Sequence, residues 1–508
     1  MNANLFQHLS DAVADTDKVA IETASERITY GDLILASGRM ANALQERGVN
    51  PGDRVAVQIE KSVPNLVLYL ACLRAGAVYL PLNTAYTLSE LDYFIGDAEP
   101  ALVVCDPSKR EGIEGIVKLK LKGTGAVETL DRDGRGSLVD LADGQSHAFP
   151  TVVVEPDDLA AILYTSGTTG RSKGAMLTHD NLVSNALTLK DYWRFTSDDV
   201  LIHALPIYHT HGLFVASNIT FLAGGSMLFL PKFDADEVMR LMPRATALMG
   251  VPTFYTRLLQ HPGLTREATA HMRLFVSGSA PLLAETHREW QTKTNHAILE
   301  RYGMTETGMN TSNPYERERI AGTVGFPLPG VELRVTDPET GTELEQGEVG
   351  MIEVRGPNVF KGYWRMPEKT AAEIRPDGFF ISGDLGKVDE NGYVHIVGRG
   401  KDLIITGGFN VYPKEVETEI DLIPGVVESA VIGVPHPDLG EGVTAVVVSE
   451  QGRTIDEGTV LSALDGKLAR FKLPKRVIVV SELPRNTMGK VQKNVLRQEH
   501  DGLYAKAG

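Results

Sequence analysis

A loop rich in glycine and hydroxyl residues occupies residues 164–177, with the sequence YTSGTTGRSKGAML. It follows the apolar run LAAILYT, so we predict that it leaves the end of a buried β-strand. Glycines let the backbone turn tightly and present N–H groups to an anion, and the hydroxyls add donors. Lys173 adds a point charge suited to phosphate. The pattern therefore predicts a polyphosphate cradle. It differs from the usual P-loop, because Gly174 rather than a Mg²⁺-binding hydroxyl residue follows the lysine.

Two other interpretations of this loop compete with the phosphate cradle. A Gly/Ser/Thr segment can be a flexible surface loop, but a lysine and a preceding buried strand argue against that. Residues 170–174 (GRSKG) also match G-x-S-x-G, the nucleophile elbow of serine hydrolases. That elbow needs a helix directly after the serine, whereas we expect residues 175–178 to be extended and a helix to begin near Asp180. The hydrolase is kept as an alternative of a different class.

Alternating strand and helix patterns supply the elements that position this loop. Residues 54–59 (RVAVQI) predict a strand, and Ser62 predicts the N-cap of a helix that ends before Gly76. Thr29 precedes another helical pattern that ends at Gly48. This alternation is typical of α/β layers with parallel strands. Residues 107–150 are polar and weakly periodic, so we interpret them as surface elaboration.

The second half of the chain changes texture twice. From Gly322, short apolar runs alternate with Gly, Pro and Asp turns and predict a β-rich subdomain. After Arg399, strand and helix patterns predict a compact α/β unit. The expected fold is α/β, with a large multi-layer N-terminal domain that includes the β-rich subdomain and a small mobile C-terminal domain. The predicted bounds are 1–398, a hinge at 399–402, and 403–508.

Composition excludes several classes of function. The chain has 508 residues with 66 acidic and 50 basic side chains, a net charge of −16. An acidic surface repels nucleic acid and anionic membranes. The start of the sequence has no signal-peptide pattern and no apolar run is long enough to span a membrane. Cys72 and Cys105 form no metal motif. We expect a cytoplasmic enzyme with two buried thiols.

Further motifs follow the loop in order: PIYHTHG (206–212), YGMTET (302–307), SGDLG (382–386), GRGKDLIITGGFNVYPKEVE (398–417) and LPRNTMGK (483–490). Together with YTSGTTGRSKG they resemble the core motifs of the adenylate-forming superfamily, which includes acyl-CoA synthetases, over nearly the whole chain. Within it, HTHGLFVASN, GVPTFYTR, FVSGSAPL and YGMTETGMNTSNP most resemble the malonate-activating ligases. The resemblance implies two steps. A carboxylate and MgATP give an acyl-adenylate and pyrophosphate, and the thiol of CoA then displaces AMP.

The resemblance also implies the nucleotide site. The loop would hold the β- and γ-phosphates, Thr305 would contact the α-phosphate, and Glu306 would bind Mg²⁺. Asp384 would accept the ribose hydroxyls, supported by Arg399. Lys490 would be the catalytic lysine of adenylation, together with Thr305 and Glu306. The implied ATP-binding residues are Thr165, Ser166, Gly167, Thr168, Thr169, Gly170, Lys173, Gly278, Ser279, Glu300, Arg301, Tyr302, Gly303, Met304, Thr305, Asp384, Arg399 and Lys490.

The second step implies a hinge and a path for CoA. Lys401 falls where the superfamily has its hinge, so the C-terminal domain is expected to swing there between the steps. The implied CoA residues are Gly407, Gly408, Phe409, Arg470 and Lys472. The last two equally fit an ordinary basic surface run. Acetylation of Lys490 by a lysine acetyltransferase would remove the charge that the first step needs.

A dicarboxylate substrate needs a cation for its distal carboxylate, because an uncompensated buried carboxylate is costly. Arg257 and Arg301 lie in segments that flank the acyl pocket of the superfamily, and Arg257 is favoured for the direct ion pair. The implied acid-binding residues are Arg257, Ser279, His209, Thr210, Arg301 and Met309. Thr210 and Met309 are candidates for sensing a substituent on the α-carbon of the acid. A methyl group contributes only about 1 kcal/mol in an apolar pocket, so methylmalonate is an expected second substrate. The other alternative is an adenylating enzyme that delivers another acid to CoA or to a carrier protein.

Overall fold

Polar side chains cap the helices at the positions that the sequence indicates. Thr29 and Asp32 form a reciprocal capping box at the start of one helix, and Ser62 accepts a hydrogen bond from the backbone of Asn65 at the start of the next. These caps satisfy N–H groups that a helix leaves unpaired. The computed structural model describes residues 2–165, 172–406, 409–450, 452–453, 455–468, 470–486 and 489–504.

The strands, in chain order, are β1 (Val19–Glu22), β2 (Arg27–Thr29), β3 (Arg54–Gln58), β4 (Val78–Pro81), β5 (Leu102–Cys105), β6 (Ala126–Thr129), β7 (Leu159–Thr165), β8 (Lys173–Thr178), β9 (Val200–His203), β10 (Ser226–Phe229), β11 (Ala247–Gly250), β12 (Leu274–Ser277), β13 (Leu299–Met304), β14 (Gly308–Ser312), β15 (Phe326–Pro327), β16 (Glu332–Thr336), β17 (Gly350–Arg355), β18 (Gly362–Tyr363), β19 (Phe380–Val388), β20 (Val394–Arg399), β21 (Ile404–Thr406), β22 (Phe409–Val411), β23 (Val426–His436), β24 (Gly440–Ser449) and β25 (Arg476–Val480).

The α-helices are α1 (Leu5–Asp11), α2 (Tyr30–Glu46), α3 (Val63–Arg74), α4 (Leu88–Ala98), α5 (Arg110–Lys120), α6 (Ser137–Asp143), α7 (His179–Tyr192), α8 (Asn218–Leu222), α9 (Ala235–Leu241), α10 (Pro252–Leu259), α11 (Arg266–Thr269), α12 (Ala284–Thr294), α13 (Pro367–Glu373), α14 (Pro413–Asp421), α15 (Glu457–Leu464) and α16 (Lys493–Glu499). Short 3₁₀ turns lie at Pro107–Lys109, Met242–Arg244 and Gly400–Asp402, and a π-helical turn covers His211–Ser217.

The chain divides into two compact units. The first contains Met1–Glu332 and Val354–Phe380, and the second contains Leu333–Glu353 and Ile381–Gly508. The segment around β16 and β17 therefore groups with the C-terminal part of the chain. The predicted bounds at 398 and 403, and the predicted mobility of the C-terminal domain, stay predictions.

Two mixed sheets form the centre of the first unit. One has the order β15-β14-β13-β12-β11-β9-β10-β1-β2, and the other β18-β8-β7-β4-β3-β5-β6. The central neighbours in both are parallel, as the alternation of strands and helices predicts. The α/β fold class is confirmed. Cys72 and Cys105 are buried free thiols, also as predicted.

The interpretation of residues 107–150 as surface elaboration is wrong in part. Strand β6 pairs in parallel with β5 and forms an edge of the second sheet. The carboxylate of Glu128 is buried on this strand and pairs with Arg47 at 2.5 Å. The strand is too short, at four residues, for its periodicity to be visible in a polar sequence.

The second unit is built mainly from antiparallel sheet. Strands β16, β17, β19 and β20 form one sheet, and β22, β21, β24 and β23 form another, with β25 paired in parallel to β24. Helix α14 begins with Pro413 in its first turn, as predicted. Within the described ranges of the chain, no helix has the length and apolar character needed to cross a membrane.

Candidate active site

The candidate site in the first unit lies where several parallel strands end. Strands β9, β11, β12 and β13 are parallel neighbours. Their carboxyl ends therefore meet at one edge of the sheet, the usual place for a ligand in such sheets. The motifs at 206–212 and 278–281, and the residues at the end of β13, all follow these strand ends. The topology thus brings together motifs that are far apart in the sequence.

The phosphate loop connects two antiparallel strands. Strand β7 ends at Thr165, which pairs with Lys173 at the start of β8. Predicted members Ser166, Gly167, Thr168, Thr169 and Gly170 lie outside the described residues. After Ser172 the chain continues as a strand up to Thr178, and α7 begins only at His179. The nucleophile elbow needs a helix directly after its serine, so the serine hydrolase interpretation is wrong.

A carboxylate and a lysine flank the neck of this loop. Glu306 is buried, and its Oε1 lies 3.5 Å from Thr165 Oγ1 and 3.1 Å from the Tyr363 hydroxyl. Lys173 Nζ lies 3.3 Å from Glu373 Oε1 and 4.1 Å from the centre of the Tyr363 ring. Thr165, Lys173 and Glu306, which the sequence assigns to phosphates and Mg²⁺, are therefore brought together.

Tyr363 and Glu373 join this group without having been predicted from the sequence. The Tyr363 hydroxyl donates to Glu373 Oε2 at 2.6 Å. Burial raises the pKa of Glu373, but its bonds with Lys369 and Tyr363 and the charge of Lys173 outweigh burial and leave the pKa below its ordinary value. Glu373 therefore stays ionised and balances the charge of Lys173. The turn-rich stretch GYWRMPEKTAAE carries no pattern that indicates this role.

Arg301 is a buried cation near the end of β13. Its side chain is almost fully enclosed, and its Nε and Nη2 atoms have no hydrogen-bond partner among the described residues. Burial lowers the pKa of the guanidinium to about 9, so it remains charged at neutral pH. A Cβ at Gly278 would lie 2.3 Å from Cζ of Arg301, so only glycine allows this approach. A buried, unpaired guanidinium is costly and is stabilised by an anion that it can hold through two hydrogen bonds.

Arg257 lies in a different environment. It is exposed on α10, whose buried face contains Phe254, Tyr255 and Leu258. An exposed guanidinium is hydrated and gains little from pairing with a carboxylate. The structure therefore encloses Arg301 and exposes Arg257, the opposite of the order in which the sequence ranked them. Which of them binds a carboxylate stays a prediction.

Histidine and hydroxyl groups lie beside this arginine. His211 Nδ1 is 3.2 Å from Ser279 Oγ, and burial together with the Arg301 charge holds the pKa of His211 well below its ordinary value. Ser279 has a φ of +70°, an unusual conformation that aims its side chain into this cluster. The sequence predicted His209 and Ser279 but missed His211, although all three lie in motifs that it identified.

The remaining acid-site candidates are buried in the same unit. Thr210 Oγ1 is enclosed and has no hydrogen-bond partner among the residues that the structure describes. Thr210 also lines a small cavity with Thr305, Phe214 and Gly308. Met309 is buried, and its backbone N–H and C=O bond to the side chain of Asn185, another residue of the cavity wall. The role of Thr210 and Met309 in sensing a substituent stays a prediction.

Further predicted ATP-binding residues lie in neighbouring positions, in two segments that the resemblance assigns to the walls around the adenine. Gly278 and Ser279 follow β12, and the segment Glu300, Arg301, Tyr302, Gly303, Met304 belongs to β13 and precedes Thr305. Glu300 is buried and accepts a hydrogen bond from the backbone of Gly322 at 3.3 Å. Their role toward the nucleotide stays a prediction.

Two of the predicted nucleotide residues pair within the second unit. Asp384 on β19 is opposite Arg399 on β20, and their side chains form an ion pair at 2.7 Å. Asp384 is buried, and its backbone N–H donates to Ser382 Oγ at 3.0 Å. The ion pair places Arg399 next to Asp384. The expected support of the ribose by Arg399 stays a prediction.

Lys490 ends a tight turn of the second unit. Its backbone N–H donates to Asn486 Oδ1, and its C=O accepts from the Asn486 N–H, both at 2.9 Å. The side chain is exposed. The turn presents the lysine at a surface of its own unit.

The predicted CoA and hinge residues are also on the second unit. Gly407 and Gly408 lie outside the described residues, and Phe409 is exposed and stacks on Phe471 with ring centres 4.8 Å apart. Lys472 forms an ion pair with Glu415 at 2.5 Å, while Arg470 is exposed. Lys401 is exposed in the 3₁₀ turn Gly400–Asp402. The role of each stays a prediction.

Comparisons with known proteins decide the family. The pattern of the AMP-binding enzymes matches residues 10–364, and that of the AMP-binding enzyme C-terminal domain matches residues 415–490. The chain belongs to the AMP-binding enzymes. The resemblance that the sequence motifs indicated is thereby confirmed.

Relatives of this AMP-binding enzyme match nearly its whole length. Feruloyl-CoA synthase of an Amycolatopsis species is 37% identical over 94% of this chain and 95% of that protein. Malonate–CoA ligase of Arabidopsis thaliana is 33% identical over 96% of this chain and 87% of that protein. The solved structure of ATP-bound MatB from Rhodopseudomonas palustris is 71% identical, covers 99% of this chain and 100% of that chain, and superposes with a TM-score of 0.97.

Proposed function

We propose that this AMP-binding enzyme is a malonate–CoA ligase, which forms malonyl-CoA, AMP and pyrophosphate through a malonyl-adenylate. The observation that supports the proposal most directly is Arg301, a buried and unpaired cation. It lies on β13, and Thr305 and Glu306 directly follow that strand. A monocarboxylic aromatic acid has no second charge for such a cation. Malonate does, and its two carboxylates are separated by one carbon. The likeness to the malonate–CoA ligase of Arabidopsis thaliana agrees with this assignment.

In the first step Arg301 holds the distal carboxylate of malonate. Ser279 and His211 lie beside it and orient the acid by hydrogen bonding. The reacting carboxylate then faces the α-phosphate of ATP, which Thr305 contacts. Attack of a carboxylate oxygen on that phosphorus forms the P–O bond of the adenylate and breaks the bond to pyrophosphate. Arg301 takes the place of Arg257, which the sequence favoured for this ion pair but which is exposed. His209, Thr210 and Met309 are proposed as further wall residues.

Two anions meet in this step, so positive charge has to be placed where negative charge develops. Lys173 is proposed for the β- and γ-phosphates, and Lys490 for the oxygens of the acid and the α-phosphate. Asp384 and Arg399 are proposed for the ribose. The two lysines are opposite in charge to the phosphates and the carboxylate, and the Asp384 carboxylate can accept hydrogen bonds from the ribose hydroxyls.

Mg²⁺ is proposed as the metal of the reaction. Among the described residues, no group of three or more His, Cys, Asp or Glu side chains could hold a metal ion by itself. Mg²⁺ commonly uses one or two carboxylates and completes its coordination with substrate phosphates and water. The single buried carboxylate of Glu306, next to Thr165, fits that mode. When bound, the ion supplies charge neutralisation to the phosphates.

In the second step the thiol of CoA attacks the carbonyl carbon of the malonyl-adenylate. The thioester bond forms, the bond to the phosphate oxygen breaks, and AMP leaves. We propose that rotation about Lys401 separates the two steps. Gly407, Gly408 and Phe409 are proposed to contact the pantetheine arm, with Arg470 and Lys472 near the CoA phosphates. For Lys472 to do so, it would exchange its ion pair with Glu415.

The test is the formation of AMP and of CoA thioester from ATP, Mg²⁺ and CoA with a panel of acids. The panel contains malonate, methylmalonate, succinate, acetate and octanoate. Malonate should lead and methylmalonate should follow, because an added methyl group changes the binding free energy by only about 1 kcal/mol in an apolar pocket. Acetate or octanoate in first place would reject the dicarboxylate assignment. AMP release without thioester would instead favour transfer to a carrier protein.

Acetylation of Lys490 is proposed as a form of control. Lys490 is exposed, so a modifying enzyme can reach its side chain. Acetylation would remove the positive charge and block the first step. Mass spectrometry of the native protein would detect the modified lysine. An adenylation assay before and after deacetylase treatment would measure the effect of the modification.

A further inference from the structure

A buried lysine lies in the first unit, and burial holds its pKa well below the ordinary value. Lys61, between β3 and the N-cap of α3, is 9% exposed and has no carboxylate partner among the described residues. Its Nζ lies 3.0 Å from His203 Nδ1, 2.8 Å from the His203 carbonyl oxygen and 4.2 Å from the centre of the Phe229 ring. Burial of an unpaired lysine is costly. An apolar side chain would fill the space at lower cost, so the position of Lys61 calls for a functional explanation.

His203 connects this lysine to the π-helical turn. Its Nε2 lies 2.9 Å from the carbonyl oxygen of Gly212, which also accepts from Ser217 Oγ at 2.9 Å. A carbonyl oxygen only accepts, so Nε2 carries the proton and Nδ1 is left to accept from Lys61. Burial, reinforced by the Lys61 charge, holds the pKa of His203 well below its ordinary value. The imidazole is thus neutral and has one tautomer.

The π-helical turn also positions a second imidazole, that of His211, at the acid site. Gly212 directly follows His211, and a Cβ at Gly212 would lie 2.0 Å from the carbonyl oxygen of Pro206, so the turn has little freedom to shift. His211 lies within hydrogen-bond distance of Ser279, and the charge of Arg301 adds to burial in lowering the pKa of His211. π-Helical turns are rare and often mark functional sites. Lys61, His203, His211 and Arg301 therefore form a series in which two neutral imidazoles lie between a buried amine and a buried guanidinium.

We propose that Lys61 is a positioning residue for the acid substrate: through His203 it fixes the turn that holds His211 beside Arg301. Selectivity for a second carboxylate then depends on a lysine that does not touch the substrate. The inference rests on the proposed function, because it assumes that Arg301 and His211 receive the distal carboxylate. Lys61 lies between β3 and α3, beside the sheet that contains β3. The other residues of the acid site, His211, Ser279 and Arg301, lie on or after strands of the sheet that contains β9, β12 and β13.

The test compares Lys61→Met with the wild-type enzyme on malonate and on acetate. The ratio of the two kcat/KM values should fall about tenfold, within the range of coupling through packed neighbours, while KM for ATP stays within about twofold. A purely structural role would lower both acids equally. Lys293→Met is the matched control, because Lys293 donates to the backbone of Leu259 at 2.6 Å and is not part of this network. It should leave the ratio unchanged.

Folding is controlled by a second variant and by the melting temperature. Lys61→Met replaces a buried amine that is costly to desolvate with an apolar side chain of similar length, so its Tm should not be lower than that of the wild type. If that variant does not fold, Lys61→Gln, which retains an N–H donor for His203, is measured instead and should show a smaller fall in the ratio. An unchanged ratio in the folded variant overturns the inference.

A resonance measurement reads the network without any substrate. In protein labelled with ¹⁵N at histidine, the His203 signals are assigned by their loss in His203→Gln. Wild-type protein should show the tautomer protonated at Nε2, and Lys61→Met should shift the Nδ1 resonance. If the His203 Nδ1 resonance does not shift, the inference about Lys61 is wrong, but the proposed function is unaffected. Absence of malonate activity in the wild type would instead overturn the proposed function and the selectivity claim that rests on it.

Discussion

Replacement of Arg301 by methionine is the sharpest test of the acid site. Methionine has a similar length and no charge, so the distal carboxylate of malonate would enter a buried site without a partner. Breaking a buried pair in this way costs about 3–5 kcal/mol. That corresponds to a loss of roughly 150- to 5,000-fold in kcat/KM for malonate. The ratio of malonate to acetate activity should collapse by a similar factor, because acetate has no second carboxylate.

The same substitution has an opposite effect on the free protein. Arg301 is enclosed with Nε and Nη2 unpartnered, so its charge opposes folding when no acid is bound. Removing a buried, poorly compensated charge is often neutral or stabilising. The Tm of Arg301→Met without substrate should therefore equal or exceed that of the wild type. A loss of activity together with a higher Tm separates a binding role from damage to the fold.

The assay measures pyrophosphate release and malonyl-CoA formation for Arg301→Met and for its matched control Arg257→Met. Arg257 is exposed on α10, so its replacement should change malonate kinetics by less than about twofold, as for most surface substitutions. The sequence alone favours the reverse ranking. Wild-type kinetics in Arg301→Met together with a strong loss in Arg257→Met would refute the structural reasoning.

The remaining predictions concern the catalytic lysine, the hinge and stability. Lys490→Ala should lose adenylation of malonate but still form thioester from premade malonyl-AMP, and equal loss of both half-reactions would reject its assignment. Lys401→Pro should retain pyrophosphate release and lose transfer to CoA, because proline restricts backbone rotation; unchanged overall turnover would reject the hinge. Arg273→Met should lower the Tm, since it leaves the buried Asp199, now held by two bonds of 2.6 and 2.7 Å, without its partner at a cost of about 3–5 kcal/mol. Burial raises the pKa of Asp199, but the bonds from Arg273 and Thr246 outweigh burial and leave the pKa depressed. The stabilisation by this ion pair is therefore present above about pH 4 and is lost as pH falls through the folded pKa. The melting curves of the wild type and of Arg273→Met should converge only in acid.

Local signals in the sequence were sufficient for much of the fold. The caps at Thr29 and Ser62, and the apolar runs of the central strands, depend on side chains within a few residues of one another. Strand β6 was missed because an edge strand of four residues carries too few side chains to show a pattern. Its burial is decided by pairing with β5, which is a tertiary contact.

The sequence by itself determined the chemistry of this protein: ordered motifs for polyphosphate, ribose and a catalytic lysine identify an adenylate-forming enzyme. Only the tertiary structure decided which arginine is enclosed. Arg257 and Arg301 have the same side chain, and both lie in motifs of the right kind, so their local sequence could not rank them. Exposure depends on what the rest of the chain places around each guanidinium, namely Gly278 over Arg301 and no comparable cover over Arg257 among the described residues. The link from Lys61 through His203 has the same origin, because it joins residues 142 positions apart.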